Sequence, residues 1–290
     1  MPRLIQFFTA LAALSLLGAA PVFAAATATV EAVQAPAWRD RNGSSVALAP
    51  GMELKSGDVL RTGPGARAYL MLAEGSRVKL GESARFSVHS RSLNPARTFR
   101  AALGVLAGAF RFTTGKLKRT QSRDVAIRVG TSTIGIRGTD LWGRTNASGD
   151  LVALLEGRID ITRGGQTTTL TQPMSYFDAP RGKESAVKTL DPAVFKGLAR
   201  QTEILAGDGA ARGAGAWRVL AAETDSEESA LEFYDQIREA GFAVRIRPLT
   251  RETDGWNYQL LLGNYSDADE AGVAASRLKT ATGLNPKVVR

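Results

Sequence analysis

Between residues 30 and 180 apolar and polar positions alternate in short runs, the period of strands that bury one face. Ala68 to Leu72, Ser76 to Leu80, Asp124 to Val129, Ser132 to Ile136, Leu151 to Leu155 and Arg158 to Thr162 are rich in β-branched or alternating apolar side chains. Turn signals separate them, among them Gly63-Pro64-Gly65, Glu74-Gly75-Ser76, Asn146 to Gly149 and Gly164-Gly165. The pattern predicts a mainly β N-terminal domain over 30–190, a sandwich or a roll. Only Ala101 to Phe110 interrupts it, fitting either a strand pair or a short helix.

Beyond the strands, Asp191-Pro192 supplies a helix N-cap with proline at the first helical position, and Val194, Leu198, Ile204 and Leu205 follow at loose helical spacing. A helix is expected over 191–205. Residues 206–216 are Gly/Ala-rich, hold nothing large enough to anchor in a core, and read as a flexible linker. From Trp217 the period changes again. Strands are predicted at 217–222, 242–248, 256–265 and 286–289, with helices at 226–240 and 267–282. The βαββαβ order over 217–290 is the small α+β ferredoxin-like plan, with helices on one sheet face and the other face open. Alternation turns Val219, Ala221, Val244, Ile246, Leu260 and Leu262 toward the helices. It leaves Arg218, Leu220, Arg245, Arg247 and Gln259 on the open face, with Trp256 at its edge.

Composition narrows the chemistry. In 290 residues, 44% of them apolar, there is no cysteine. A chain of this size folds without disulfides, and thiolate metal sites, a cysteine nucleophile and thiol redox switching are excluded. The single histidine, His89, has no acid–base partner in view, Asp140 and Glu156 sit in turn signatures, and Gly130 to Gly135 lacks the Lys-Ser/Thr of a phosphate loop. The expectation is therefore no enzyme, no metal and no cofactor. At the N-terminus, Arg3 precedes an apolar run from Phe7 to Ala20, closed by the small residues Val22 and Ala24. This predicts a signal peptide over 1–24, export to the periplasm, and no membrane span after cleavage.

The net charge of +9 is unevenly placed. Residues 216–290 carry 9 basic and 12 acidic side chains, a net −3, so with Arg3 set aside residues 26–215 hold +11. Between Arg97 and Arg128 eight basic residues meet one acid, Asp124. Arg111, Lys116, Lys118, Arg119 and Arg123 are its candidate patch for an anion or a partner protein. Nucleic acid is not expected, because Tyr258 to Tyr265 lacks the aromatic pair that stacks bases and its domain is acidic.

Two resemblances give these patterns a context. Leu54-Lys-Ser-Gly57-Asp58-Val-Leu-Arg61-Thr62-Gly63, Ala68 to Ser76, Gly135-Ile-Arg137-Gly138-Thr139-Asp140-Leu141 and Leu155-Glu156-Gly157 stand in the order of the FecR family, which residues 45–163 resemble. Some members couple transport to a cytoplasmic sigma factor through an N-terminal helix, for which the residues before the apolar run leave no room. Val244 to Arg247, Tyr258 to Tyr265, Asp267 to Ala271 and Ala275 to Lys279 are similar to a SPOR domain over 216–290. That resemblance implies binding of peptidoglycan glycan strands stripped of their stem peptides, as found at the division septum. A guanidinium fork suits a lactyl carboxylate and an indole suits a sugar ring. The reading is a non-enzymatic periplasmic protein whose C-terminal domain docks on septal glycan while the FecR-like domain is a scaffold or interaction module. The alternative is an envelope signalling or assembly protein whose basic domain binds another envelope protein or an anionic polymer, without glycan binding. It draws on Leu220 and Ala222, where SPOR domains commonly have Gln and Gly.

Overall fold

A computed structural model describes residues 26–90, 92, 97–117, 122–251 and 255–290. The segment 1–24 expected to be a signal peptide, and Lys118 and Arg119 of the basic cluster, lie outside the described residues.

The β region is one hydrogen-bonded set of strands folded into two layers by three long members, Thr98–Thr113, Ser132–Asn146 and Gly149–Arg163. The first half of Thr98–Thr113 pairs with Arg85–Ser90 and, in parallel, with Ser122–Val129. Its second half pairs with Arg77–Leu80 and with the far half of Ser132–Asn146. One strand thus serves both layers, and Phe86, Phe99, Phe110, Phe112, Leu70 and Ile134, each 1% exposed or less, close the core. The layer change needs glycine. Gly108 has φ +84° and Gly157 φ +85°, and a Cβ on Gly157 would stand 2.1 Å from the Gly138 carbonyl oxygen. The Gly138-Thr-Asp and Glu-Gly157 signatures are therefore bends, not the ends of strands.

That corrects two expectations. Ala101 to Phe110 is neither a hairpin nor a helix but the middle of one strand, because Phe99, Ala101, Leu103 and Val105 are buried with period two. Leu151–Leu155 and Arg158–Thr162 are two halves of a single strand that bends at Gly157.

The helix is Pro192–Ala199, capped by the Asp191 carboxylate, which accepts from the backbone N–H groups of Ala193 and Val194. It ends six residues short of the expected 205, because Ile204 N–H donates to the Tyr69 hydroxyl at 2.5 Å and Leu205 N–H to Asp208. The stretch 206–216, expected to be a flexible linker, contains the strand Ala210–Arg212, which pairs with Ala28–Gln34. The buried Glu270 carboxylate accepts from the N–H groups of Gly207, Gly209 and Ala210 at 2.5–2.9 Å. A Cβ on Gly209 would reach Val273 at 2.8 Å. The residues here are small because backbone and helix touch.

Residues 217–290 fold as the period indicated. The strands Val244–Thr250, Trp256–Tyr265, Trp217–Thr224 and Lys287–Val289 lie side by side in that order, all antiparallel. Helices Glu227–Glu239 and Ala268–Thr282, capped by Ser226 and Asp267, cover one face. Val219, Ile237, Leu260, Leu262 and Leu278 form its core. The two domains are joined directly. Ala37 N–H donates to the Gly241 carbonyl at 3.0 Å, Trp38 Nε1 to Glu239 at 3.2 Å, and Arg277 to the carbonyls of Ala35 and Gly65 at 3.1 and 3.0 Å.

Candidate functional site

The open face of the four-stranded sheet is set by register. Arg247 opposes Gln259, Arg245 opposes Leu261, Leu220 opposes Leu261 from the other side, and Arg218 opposes Val289. A hollow of about 220 Å³ is lined by Arg218, Leu220, Arg247, Gln259, Leu261, Val289 and Arg290. Four of the six residues predicted for this face meet there. Arg245 instead lines a separate cleft at the edge of the sheet. Trp256 opposes Thr250 at the far end of the hairpin, on the parity of Tyr258 and Leu260, and is half exposed. It is not among the residues that line the hollow.

Two contributors escape a reading by simple alternation. Arg290 lies beyond the last short strand, with its guanidinium 5.9 Å from the centre of the Trp217 ring. Glu223 has the parity of the inward Val219 and Ala221, but a register shift between Leu220 and Ala222 brings it opposite Gln259. Its carboxylate accepts from Gln259 Nε2 at 3.1 Å and Asn257 Nδ2 at 2.5 Å. These hydrogen bonds, Gln259 foremost, hold it below the ordinary carboxylate range. The Gln259 side chain lines the hollow, and no hydrogen bond to its Oε1 occurs among the described residues. Among the described residues Arg218, Arg247 and Arg290 form no ion pair. Three forked cations over an apolar floor of Leu220, Leu261 and Val289 can hold a carboxylated, ring-shaped ligand.

Two arginines of the β domain's basic cluster are engaged internally. Arg111 donates to Asp140 at 2.7 and 3.0 Å and to Glu203 at 3.2 Å. The Asp140 hydrogen bond, outweighing burial, raises its pKa further. Arg123 donates to Glu74 and to the Gly115 carbonyl. Lys116 is exposed, as are Arg97, Arg100 and Arg128 of the wider run, and none of these four forms an ion pair among the described residues, whereas Arg111 and Arg123 are partly buried and paired. A count of charge along the sequence does not register that Arg111 and Arg123 are neutralised by acids distant in the chain. Asp140 opposes Glu156 in register but is committed to Arg111 and Thr113. His89 is exposed, and no group of three metal-ligating side chains occurs among the described residues.

A large β domain bent at glycines carries a small ferredoxin-like α+β module with an arginine-lined open face. The family described as FecR protein matches residues 58–160, and the SPOR domain family matches residues 213–290. The chain is a FecR-family domain with a C-terminal SPOR domain. A SPOR domain suggests peptidoglycan binding, and a FecR-like domain suggests envelope signalling. No curated protein matches the chain. Two crystal structures, at 1.65 and 2.50 Å, of a provisionally assigned anti-sigma factor from Parabacteroides distasonis ATCC 8503 are similar at 12% identity and TM-score 0.40. They cover 78% of this chain and 92% and 91% of theirs. No helix of the described residues is long and apolar enough to cross a membrane.

Proposed function

We propose that this protein works in the periplasm, without catalysis, by binding peptide-stripped glycan through the open face of its SPOR domain, while the FecR domain is a scaffold docked against it. The observation that carries this reading is the hollow in which Arg218, Arg247 and Arg290 stand unpaired around Gln259. Stripped glycan exposes lactyl carboxylates and sugar hydroxyls, which match the guanidinium forks and the Gln259 carbonyl. Septal enrichment follows if stripped strands concentrate at the division site. The other reading, a basic FecR-domain surface that recruits an anionic polymer or a protein, would rest on the exposed Lys116, Arg97, Arg100 and Arg128, since Arg111 and Arg123 are paired internally.

The test is co-sedimentation of the full chain with purified sacculi, with and without prior amidase treatment. Pelleting should rise with amidase treatment and fall about tenfold in Arg218→Ala/Arg247→Ala, the loss expected from two charge-assisted contacts with an exposed ligand. Equal pelleting of the variant, or none by the wild type on amidase-treated sacculi, sinks the proposal.

A further inference from the structure

A second concavity lies between the two domains, a cleft of about 320 Å³. Its apolar wall is Val46, Ala47 and Pro50 of the FecR domain, with Val244 across from the SPOR side. Its cations are Arg212 from the strand Ala210–Arg212, Arg238 near the end of the helix Glu227–Glu239, and Arg245 on the edge strand Val244–Thr250. No carboxylate lines it. Asn264 completes the lining, and its Oδ1 is buried without a hydrogen-bond partner.

Elsewhere in this chain several partly buried arginines are answered by acids, Arg41 by Asp58, Arg61 by Asp40, Arg111 by Asp140 and Arg123 by Glu74, while Arg277 donates to backbone carbonyls. Arg212 and Arg245, which are exposed, and Arg238, which is partly buried, form no ion pair among the described residues. Arg238 instead lies against the Tyr234 ring, 5.0 Å from its centre, which fixes the guanidinium beside the cleft. Three like charges brought to one concavity from three elements repel one another, and an anion bound among them removes that cost. The volume is at the small end of ligand sites, which favour domain interfaces. An unsatisfied amide oxygen asks for a donor, and a wall of aliphatic side chains asks for carbon.

We propose that the interdomain cleft binds a small aliphatic dicarboxylate that also carries an N–H donor, the chemistry of an acidic amino acid or acidic dipeptide. The carboxylates meet Arg212, Arg238 and Arg245, the aliphatic portion packs on Val46 and Pro50, and the N–H reaches Asn264 Oδ1. The inference is independent of glycan binding, because Arg212 and Arg238 are not on the open sheet face. A ligand held by both domains also stabilises their docking by mass action.

The test uses the full chain and the dipeptide alanyl-glutamate as probe, with alanyl-glutamine and inorganic phosphate at matched ionic strength. Isothermal titration should show saturable binding of alanyl-glutamate, about tenfold tighter than alanyl-glutamine, since one charge-assisted fork is lost with the side-chain carboxylate. Arg212→Ala/Arg238→Ala should weaken it at least about tenfold and leave sacculus pelleting unchanged. Arg212→Lys/Arg238→Lys keeps the charge but not the fork, guards against loss of fold in the first variant, and should also bind more weakly. The proposal is overturned by absence of saturable binding, by equal affinity for alanyl-glutamine or phosphate, or by full affinity in the lysine variant.

Discussion

Arg123 reaches Glu74 at 2.8 Å, with side chains only 9% and 1% exposed. The partners are 49 residues apart, so this ion pair ties the start of the strand Ser122–Val129 to the turn before Arg77–Leu80. Burying two charges costs several kcal/mol, offset by their mutual contact and by the Arg123 hydrogen bond to the Gly115 carbonyl. Arg123→Ala leaves Glu74 buried and alone and should cost about 3–5 kcal/mol in urea unfolding. The apolar double replacement Glu74→Leu/Arg123→Met should fold with far less loss, because neither charge then needs compensation. A single-variant cost below about 1 kcal/mol, the range of an exposed pair, would show that water reaches the site.

On the open face, Glu223 acts through Gln259. By accepting from its amide and from Asn257, the carboxylate fixes which way the Gln259 carbonyl points. Glu223→Ala removes a negative charge near the three arginines, which should favour an anionic ligand, but also frees the amide to rotate. Glu223→Gln separates the two effects. If orientation matters, Glu223→Ala should weaken pelleting of amidase-treated sacculi about two- to fivefold while Glu223→Gln, still an acceptor, loses less. Stronger binding in both variants would leave only the charge effect.

The sequence was most legible where one period governs a whole element. In residues 217–290 all four strands and both helices were readable, because alternate residues such as Val219 and Val244 face one core. It was least legible at glycines. Gly138 and Gly157 look like turn signals but are bends inside strands that pass between layers, and Gly207 and Gly209 look like a tether but are close contacts with Glu270 and Val273. A glycine announces permissive backbone without saying what uses it. Likewise Arg218 and Arg247 could be placed by parity within a hairpin, whereas the partners of Arg111 and Arg123 lie 29 and 49 residues away. Glu223 was hidden by a single register shift.

Glu203 gives the FecR domain a pH-dependent clasp. Its carboxylate meets Lys79 at 2.6 Å, the Tyr69 hydroxyl at 3.0 Å and Arg111 at 3.2 Å, pinning the segment after the helix to the sheet. Burial pushes its pKa up, but the hydrogen bond from Lys79 and the neighbouring cations outweigh it and hold the group below the ordinary glutamate value of 4.5. A carboxyl depressed in the fold adds stability above that ordinary value and loses it as pH falls through the folded one. The stability gap between wild type and Glu203→Gln should therefore be full at pH 7 and shrink below about 4.5. Tyr69 shows the opposite limb. Burial pushes it up to about 12, so its contribution is present below 10 and is lost as pH rises from there toward 12. Thermal melts across both ranges, with Tyr69→Phe for the alkaline one, check both signs. A gap that stays constant in acid would mean Glu203 is not part of the clasp.

The docking of the two domains concentrates on Gly241 and Arg277. Gly241 has φ +84°, its carbonyl accepts from Ala37 N–H, and a Cβ there would stand 2.6 Å from the Trp38 ring. Arg277 is half-buried, with burial lowering its pKa, and it donates to two FecR-domain carbonyls. Removing that donor leaves Ala35 and Gly65 without their partner and should weaken docking by about 1–3 kcal/mol. Gly241→Ala adds a steric conflict and a left-handed conformation that alanine resists by about 1–2 kcal/mol. Both substitutions leave the core of each domain untouched, so the expected result is separation of two folded units rather than unfolding. Limited proteolysis reads this directly. In the wild type residues 206–216 are held by strand pairing and by Glu270 and should resist cleavage, whereas Gly241→Ala/Arg277→Ala should be cut there much faster and scatter as a more extended particle. Equally rapid cutting of the wild type would restore the flexible tether.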